Sequence, residues 1–367
     1  MGTETLFRPF SCKSLHLKNR IALAPAARWS SPNGNPVALG PFYKRRAEGG
    51  VGLVMTEGAA VGRPAAYNDA SSARIFGAAM DGWKQVVAEV HAGGAKIIPQ
   101  LWHCGAVGKK NSDWTPDAEP ESPSGLISAT QPRGRALTES DIEDLLQVYA
   151  RAGEDSKRVG FDGVEVHAGH GYLLDQFLWA ESNKRTDKWG GKTLPERSRF
   201  PIEVMKSVRK AIGPDMPLLA RISDWKSAAL DARMAETPAE LEAWLVPFVK
   251  AGVDILSVSS LRYDEPAPYF PNSPLTFAGW VKKVTGVPVI VAGGIGMTGD
   301  IIKTFAGETG KPIPLDDVIR RMEAGEFDLI AVGRALVADP QWTRKIEQGR
   351  MDLKECAAQT LAPSTAN

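Results

Sequence analysis

Short apolar, β-branched runs recur along the chain at intervals that leave room for a helix between each pair. Eight stand at 21–25, 51–56, 96–101, 163–167, 217–222, 255–259, 287–292 and 329–332. VGLVMT, VPVIVA and LIAV are apolar at nearly every position rather than at alternate ones. Parallel strands covered on both faces read this way; an antiparallel sandwich with one wet face does not. Between the runs the apolar period becomes three to four. Ile142, Leu145, Leu146 and Tyr149 form the stripe of a helix predicted over 139–158, capped by Thr138 with Asp141 three residues on. Further helices are predicted over 82–92, 195–212, 238–251, 275–284 and 315–324. Gly160, Gly213, Gly252, Gly286 and Gly325 each stand between a helix and the next strand, where a left-handed residue ends the helix. This pattern predicts an α/β fold, a single (β/α)8 TIM barrel.

Two stretches exceed the repeat, 103–137 after the third strand (with Trp114) and 294–314 after the seventh. Both leave strand C-termini, where barrel enzymes build their sites. A doubly wound pair of domains would want a glycine-rich turn after the first strand, and APAARWS offers none. The 367 residues read as one domain over 1–367, with a barrel core at about 20–345 and a tail at about 346–367. With 43% hydrophobic and 24% charged residues the chain is expected to fold. Its 44 basic and 43 acidic residues form no run that would bind nucleic acid or an anionic membrane surface. No apolar stretch suits a membrane span or a leader peptide. Cys12, Cys104 and Cys356 are too scattered for a disulfide framework or a metal motif, so a reducing cytoplasm is expected. The partner expected is a small molecule, and a homo-oligomer is compatible with all of this.

Polar residues at the strand ends carry the candidate chemistry. Gln100 ends the third run, His167 the fourth, and Arg221 stands near the end of the fifth. Gly293 and Gly294 follow the seventh strand, and Gly333 and Arg334 the eighth. That is where such barrels bind phosphate on free N–H groups, with Arg334 adding a guanidinium fork. The segment VEVHAGHGYLLDQF, 164–177, holds two of the five histidines, His167 and His170, with Tyr172 beyond them. Two imidazoles and a phenol can give hydrogen bonds to an oxygen and a proton to a nearby carbon. His103 with the same pair could instead ligate zinc in a metal-dependent hydrolase or lyase. No carboxylate at matching spacing supports that, and HExxH is absent, so no metal is predicted.

LFRPF and LKNRIALAP (6–10, 17–25), VGLVMTEGAAV (51–61), PQLWHCG (99–105), GFDGVEVHAGHGYLLDQF (160–177), NKRTDKWGG (183–191), ERSRF (196–200) and VGRALVADP (332–340) resemble the old yellow enzyme family of flavin-dependent reductases. The resemblance runs over about 6–342 and implies an FMN-binding barrel reduced by NADPH or NADH. It would set Pro25, Ala26, Ala27 and Gly58 along the flavin ring, with His167 against it. Gln100 would bond the pyrimidine edge, Arg221 would lie near N1, and Gly293, Gly294, Gly333 and Arg334 would hold the phosphate. His167 and His170 would grip the carbonyl oxygen of an α,β-unsaturated substrate. Hydride would pass from flavin to the β-carbon, and Tyr172 would protonate the α-carbon. A dehydrogenase or demethylase oxidising a small substrate on the same barrel is the alternative within the family.

The departures concern the substrate side. Ala27 stands where the family often has Thr or Cys, which implies a lower flavin potential. Ala106 replaces an Arg and Trp189 a Tyr, while Trp29 is expected in the substrate pocket. The loop 261–272, with Tyr263, Tyr269 and Phe270, is expected to shape substrate choice. Cys356 is the only cysteine after Cys104, so the larger iron–sulfur branch of the family is not expected.

Overall fold

The change of apolar period marks the elements closely. The computed structural model describes residues 2–108, 117–265 and 269–362. All eight runs are strands: β1 (Ile21–Leu23), β2 (Leu53–Ala60), β3 (Lys96–Trp102), β4 (Val164–His167), β5 (Leu218–Ser223), β6 (Ile255–Ser259), β7 (Val289–Ala292) and β8 (Leu329–Val332). They pair in parallel and in chain order. β8 returns to β1, Ile330 opposite Ile21, which closes a (β/α)8 TIM barrel.

Eight main helices follow: α1 (Gly40–Glu48), α2 (Ala79–Ala92), α3 (Glu139–Val159), α4 (Arg199–Ile212), α5 (Pro238–Lys250), α6 (Phe277–Thr285), α7 (Asp316–Glu323) and α8 (Trp342–Glu347). α3 begins as its sequence predicts. The Asp141 N–H donates to the Thr138 hydroxyl at 3.1 Å, and the Asp141 carboxylate accepts the Thr138 N–H at 2.9 Å. Gly160 ends that helix at φ 97°. The helix expected over 195–212 is two pieces, Leu194–Arg197 and α4, separated at Ser198. α1 escapes the periodicity because its buried face contains a charge. Arg46 is fully buried over the Phe42 ring at 3.5 Å, and its guanidinium donates to the carbonyls of Phe42, Leu336 and Val337.

Alternate residues of each strand point into the barrel. Its lower layers are apolar: Ala22, Leu53, Met55, Ile98, Leu219, Ile255, Ile290 and Leu329. An N-terminal hairpin, Phe10–Cys12 with Leu15–Leu17, adds Phe10, Leu15 and Leu17 to that packing. Two residues farther along the same faces the character changes to Gln100 after Ile98, Arg221 after Leu219 and Ser257 after Ile255. The C-terminal mouth is therefore polar by construction. β2 also bulges between Met55 and Gly58, where it takes three steps against two on β3.

The excursions are tied down by specific bonds. In the first, Glu121–Ser122 pairs with Arg135–Ala136, and residues 109–116, with Trp114, lie outside the described residues. Glu121 is buried and accepts hydrogen bonds from Arg63, from Arg135 at 2.7 Å and from His103 at 3.0 Å. Asp141 at the start of α3 accepts from the same two arginines. The second excursion carries a short helix, Ile301–Phe305, and pairs through Gly310 with Cys356. The C-terminal segment thereby returns to the mouth, where Arg28 holds the Ala362 carbonyl at 3.1 Å.

The Arg63 network has a measurable stability. Burial alone would raise the Glu121 pKa, but the hydrogen bonds from His103 and Arg63 bring it down to about 2. Arg63→Ala removes one of the two arginines that answer Glu121 and Asp141 and is expected to lower unfolding free energy by about 2 kcal/mol, read as a reduced urea midpoint. The folded pKa lies below the unfolded value, so the Glu121 contribution is present above about pH 4.5 and lost as pH falls toward about 2. The difference between wild type and Arg63→Ala should shrink across that window.

Candidate active site

Each strand end delivers one or two side chains to the mouth. β4 contributes His167, with the fully buried Glu165 one inward position below it. Glu165 lies in register with Gln100 on β3, whose side-chain amide donates to its carboxylate at 2.5 Å. On the other side His167 lies in register with Arg221. The Arg221 guanidinium donates to the hydroxyls of Ser257 at 3.2 Å and Ser259 at 3.0 Å, both on β6.

The loop after β4 turns sharply, with His170 at φ 62° and Gly171 at φ 81°. Its backbone is pinned at every step. The Gly169 N–H donates to His167 Nδ1 at 3.2 Å, the His170 N–H to the Ser223 hydroxyl at 2.8 Å, and the Gly171 N–H to the Asp175 carboxylate at 2.7 Å. Asp175 is itself paired with the fully buried ammonium of Lys226 at 2.8 Å. These bonds bring three rings together. The centroid of His167 lies 4.9 Å from that of His170 and 5.0 Å from that of Tyr172, with edge-on contacts. Trp225 stacks on the far side of His170 at 4.3 Å.

Burial and the Arg221 cation set the protonation of this group. Burial first, then Arg221, push His167 well below its ordinary pKa. His170 is lowered likewise by burial, His167, Arg221 and Lys226. Both imidazoles are therefore neutral at physiological pH. With His167 Nδ1 accepting from Gly169, the His167 proton sits on Nε2, a donor open to the mouth. Burial, then Cys104, raises the Tyr172 phenol to about 12, so it retains its proton. Glu165 is raised by burial against the attraction of Arg221.

The residues singled out in the sequence line one elongated cleft. Its inner part is bounded by Pro25, Ala27, Trp29, Gly58, Gln100, His167, His170, Tyr172 and Arg221. The longer part, of about 340 Å³, runs past Ala26 to Gly293, Gly294, Gly333 and Arg334. Gly293 and Gly294 have φ 135° and 66°, and a Cβ on Gly293 would lie 2.4 Å from the Ser260 carbonyl oxygen. Trp29 is held at φ 50°, a left-handed conformation rare for a bulky residue. The Arg334 fork meets the second excursion, donating to the carbonyls of Thr298 at 2.9 Å and Gly299 at 2.7 Å and to the Thr304 hydroxyl at 2.8 Å.

The zinc alternative gains no support, and one expectation fails. His103 does not join His167 and His170: Nε2 meets Glu121 and Nδ1 accepts the Gly105 N–H at 3.0 Å, so both ring nitrogens are engaged elsewhere. Among the described residues no cluster of three metal-ligating side chains occurs. Leu261 of the loop 261–272 lines the cleft, but its aromatics Tyr263, Tyr269 and Phe270 do not; residues 266–268 of that loop lie outside the described residues. Tyr269 and Phe270 pack with Phe277 and Trp280 of α6, and the Tyr263 hydroxyl bonds Asp317 at 3.1 Å. Burying such rings against a helix removes more apolar area from water than lining a polar mouth would.

Trp225, Ser259 and Leu361 line the cleft and were not singled out by sequence. Only Ser259 left a signal: it shares the inward parity of Ile255 and Ser257 on β6. Among the described residues no helix is long and apolar enough to cross a membrane.

The NADH:flavin oxidoreductase / NADH oxidase family model matches residues 5–352. An NADH oxidase of Thermoanaerobacter brockii is 32% identical over 364 residues, covering 96% of this chain and 52% of that protein. The chain thus spans about half the length of that relative. Chanoclavine-I aldehyde reductase fgaOx3 of Penicillium roqueforti (strain FM164) is 32% identical over 362 residues, with 94% and 89% covered. The solved structure of morphinone reductase in complex with tetrahydroNAD superposes with a TM-score of 0.80 at 27% identity, covering 98% of this chain and 94% of that one. The chain belongs to the NADH:flavin oxidoreductase / NADH oxidase family, whose cofactor is FMN.

Proposed function

We propose that the chain is an FMN-dependent oxidoreductase, reduced by NADPH or NADH, that transfers hydride to the β-carbon of an α,β-unsaturated carbonyl or similarly activated alkene. One observation carries this reading: two uncharged imidazoles and a protonated phenol meet over the cleft wall that begins at Pro25. A metal site would need ligands gathered around one point, whereas these groups are arranged as hydrogen-bond and proton donors.

The cleft suits FMN by its own chemistry. Pro25, Ala26, Ala27 and Gly58 offer a flat, largely apolar wall for a ring system, and Gln100 an amide for its polar edge. Arg221 is a buried cation beside that wall. At the other end Gly293, Gly294 and Gly333 let backbone approach a phosphate closely, with Arg334 bracing the loop around it. Bound there, FMN supplies the hydride and accepts electrons from the nicotinamide.

Within this reading His167 and His170 bind the carbonyl oxygen. Neutral N–H donors set in place beforehand stabilise the enolate charge that grows there more than they stabilise the ketone. Tyr172, protonated at any physiological pH, holds the proton for the α-carbon. Trp29 borders the same space and limits what fits against it. We further propose one domain over 1–367, a cytoplasmic setting and a small-molecule partner, with neither nucleic acid nor membrane involved.

The direct test reduces the holoenzyme anaerobically with NADPH or NADH and mixes it with 2-cyclohexen-1-one. Flavin absorbance should return much faster than in buffer; equal rates sink the reading. His167→Ala or His170→Ala is expected to lower enone turnover about 10²-fold. Tyr172→Phe should slow turnover while the rate of flavin reduction stays near wild type. Lowering pH from 8 to 6.5 should leave enone binding unchanged, since both imidazoles stay neutral in that range. Ala27→Thr places a hydroxyl donor at the cleft wall and should raise the flavin midpoint potential, measured by dye equilibration; an unmoved potential removes that role for position 27.

A further inference from the structure

His170 is fixed in space by several contacts, but only one of them bears on which ring nitrogen holds its proton. The Ser223 hydroxyl takes its backbone N–H and Trp225 packs flat on its ring. Both restrain orientation and leave the tautomer open. Nε2 lies 2.8 Å from the hydroxyl of Ser259, while Nδ1 has no hydrogen-bond partner among the described residues and borders the cleft.

Ser259 is buried, and its oxygen also lies 3.0 Å from Arg221 Nη2. A guanidinium only donates, so Ser259 must accept from Arg221. The serine proton then has one hydrogen-bonded neighbour left among the described residues, His170 Nε2. If that nitrogen carried a proton instead, Ser259 would accept twice and its own O–H would have no acceptor among the described residues, which disfavours that tautomer. With Nε2 as acceptor, the Ser259 hydroxyl both accepts from Arg221 and donates to His170, so neither its lone pair nor its proton is left without a partner.

We propose that Ser259 is a positioning residue: it hands the directionality of Arg221 on to His170 and fixes that ring as the Nδ1–H tautomer, turning an N–H toward the cleft. His167 reaches the matching state by another route, because the Gly169 N–H occupies its Nδ1 and leaves the proton on Nε2. The two histidines thus present two donors. The other tautomer of His170 would face a substrate oxygen with a lone pair and oppose the charge that His167 stabilises. This assignment deepens the proposed function, since it takes the cleft to be an oxygen-binding site.

The test reads the tautomer itself. Long-range proton–nitrogen correlation spectra of histidine-labelled holoenzyme separate Nδ1–H from Nε2–H rings without reference to turnover. Wild type should show His170 as Nδ1–H, Ser259→Ala should show a mixture, and Ser259→Thr should restore the wild-type pattern. In parallel, the dissociation constant of 4-hydroxybenzaldehyde, whose phenolate oxygen resembles an enolate, should rise roughly tenfold in Ser259→Ala and return in Ser259→Thr, with flavin content unchanged. An Nε2–H ring in wild type overturns the proposal, and so does a Ser259→Ala protein with unaltered tautomer and affinity. The wild-type spectrum suffices should the alanine variant not fold. It also separates the two readings, because failure to reduce cyclohexenone leaves the tautomer result standing.

Discussion

A permanent cation buried at the C-terminal mouth of the barrel is the constraint from which the rest of the mouth follows. Arg221 is 4% exposed, and taking a guanidinium out of water is costly unless its donors and charge are answered. Barrel geometry supplies the answers from neighbouring strands. Ser257 and Ser259 on β6 accept its protons, and Glu165 on β4 provides the opposite charge, itself tied to Gln100 on β3. Burial first, and this cation with it, keeps the two imidazoles from charging. Answering one buried charge therefore ties together side chains from four consecutive strands.

That organisation was readable in the chain to the extent that it depends on strand parity. Apolar runs marked all eight strands, and of the polar residues closing them His167 lies in register with Arg221, while Gln100 pairs with Glu165 one inward position below. Side chains whose environment comes from other elements were not readable. α1 was hidden because Arg46 interrupts its buried stripe, and a charged residue there makes sense only once the carbonyls of Leu336 and Val337 are known to lie above it. The aromatic loop 261–272 looked like a pocket wall because aromatic side chains suit either an interior or a cleft. Only the position of α6 decides between them. His103 stayed open as a ligand for a similar reason: its partner Glu121 lies in an irregular excursion that no periodicity describes.

The loop after β4 shows how precision is obtained outside regular structure. A histidine in the left-handed region is strained by about 1–3 kcal/mol, and Trp29 across the cleft has the same conformation. Backbone donors from Gly169, His170 and Gly171 reach three different side chains, so the strained turn has little freedom to relax. The Lys226–Asp175 pair contributes by holding the acceptor of the Gly171 N–H in place. Rigid placement of this kind is what a site needs when its donors must meet charge only as it develops.

Closure of the barrel through Ile21 and Ile330 has a consequence for how the protein is made. β1 emerges early from the ribosome, yet the strand that covers its second edge is about the last of the eight to be synthesised. Through most of translation the nascent sheet is therefore an open ribbon with an unpaired edge, the kind of surface that invites pairing with another chain. The Cys356 bridge and the Arg28 contact to Ala362 come later still. A nucleotide can find the finished cleft only after β8 and the segment that returns to the mouth have left the tunnel, so cofactor loading waits on the last strand of the barrel.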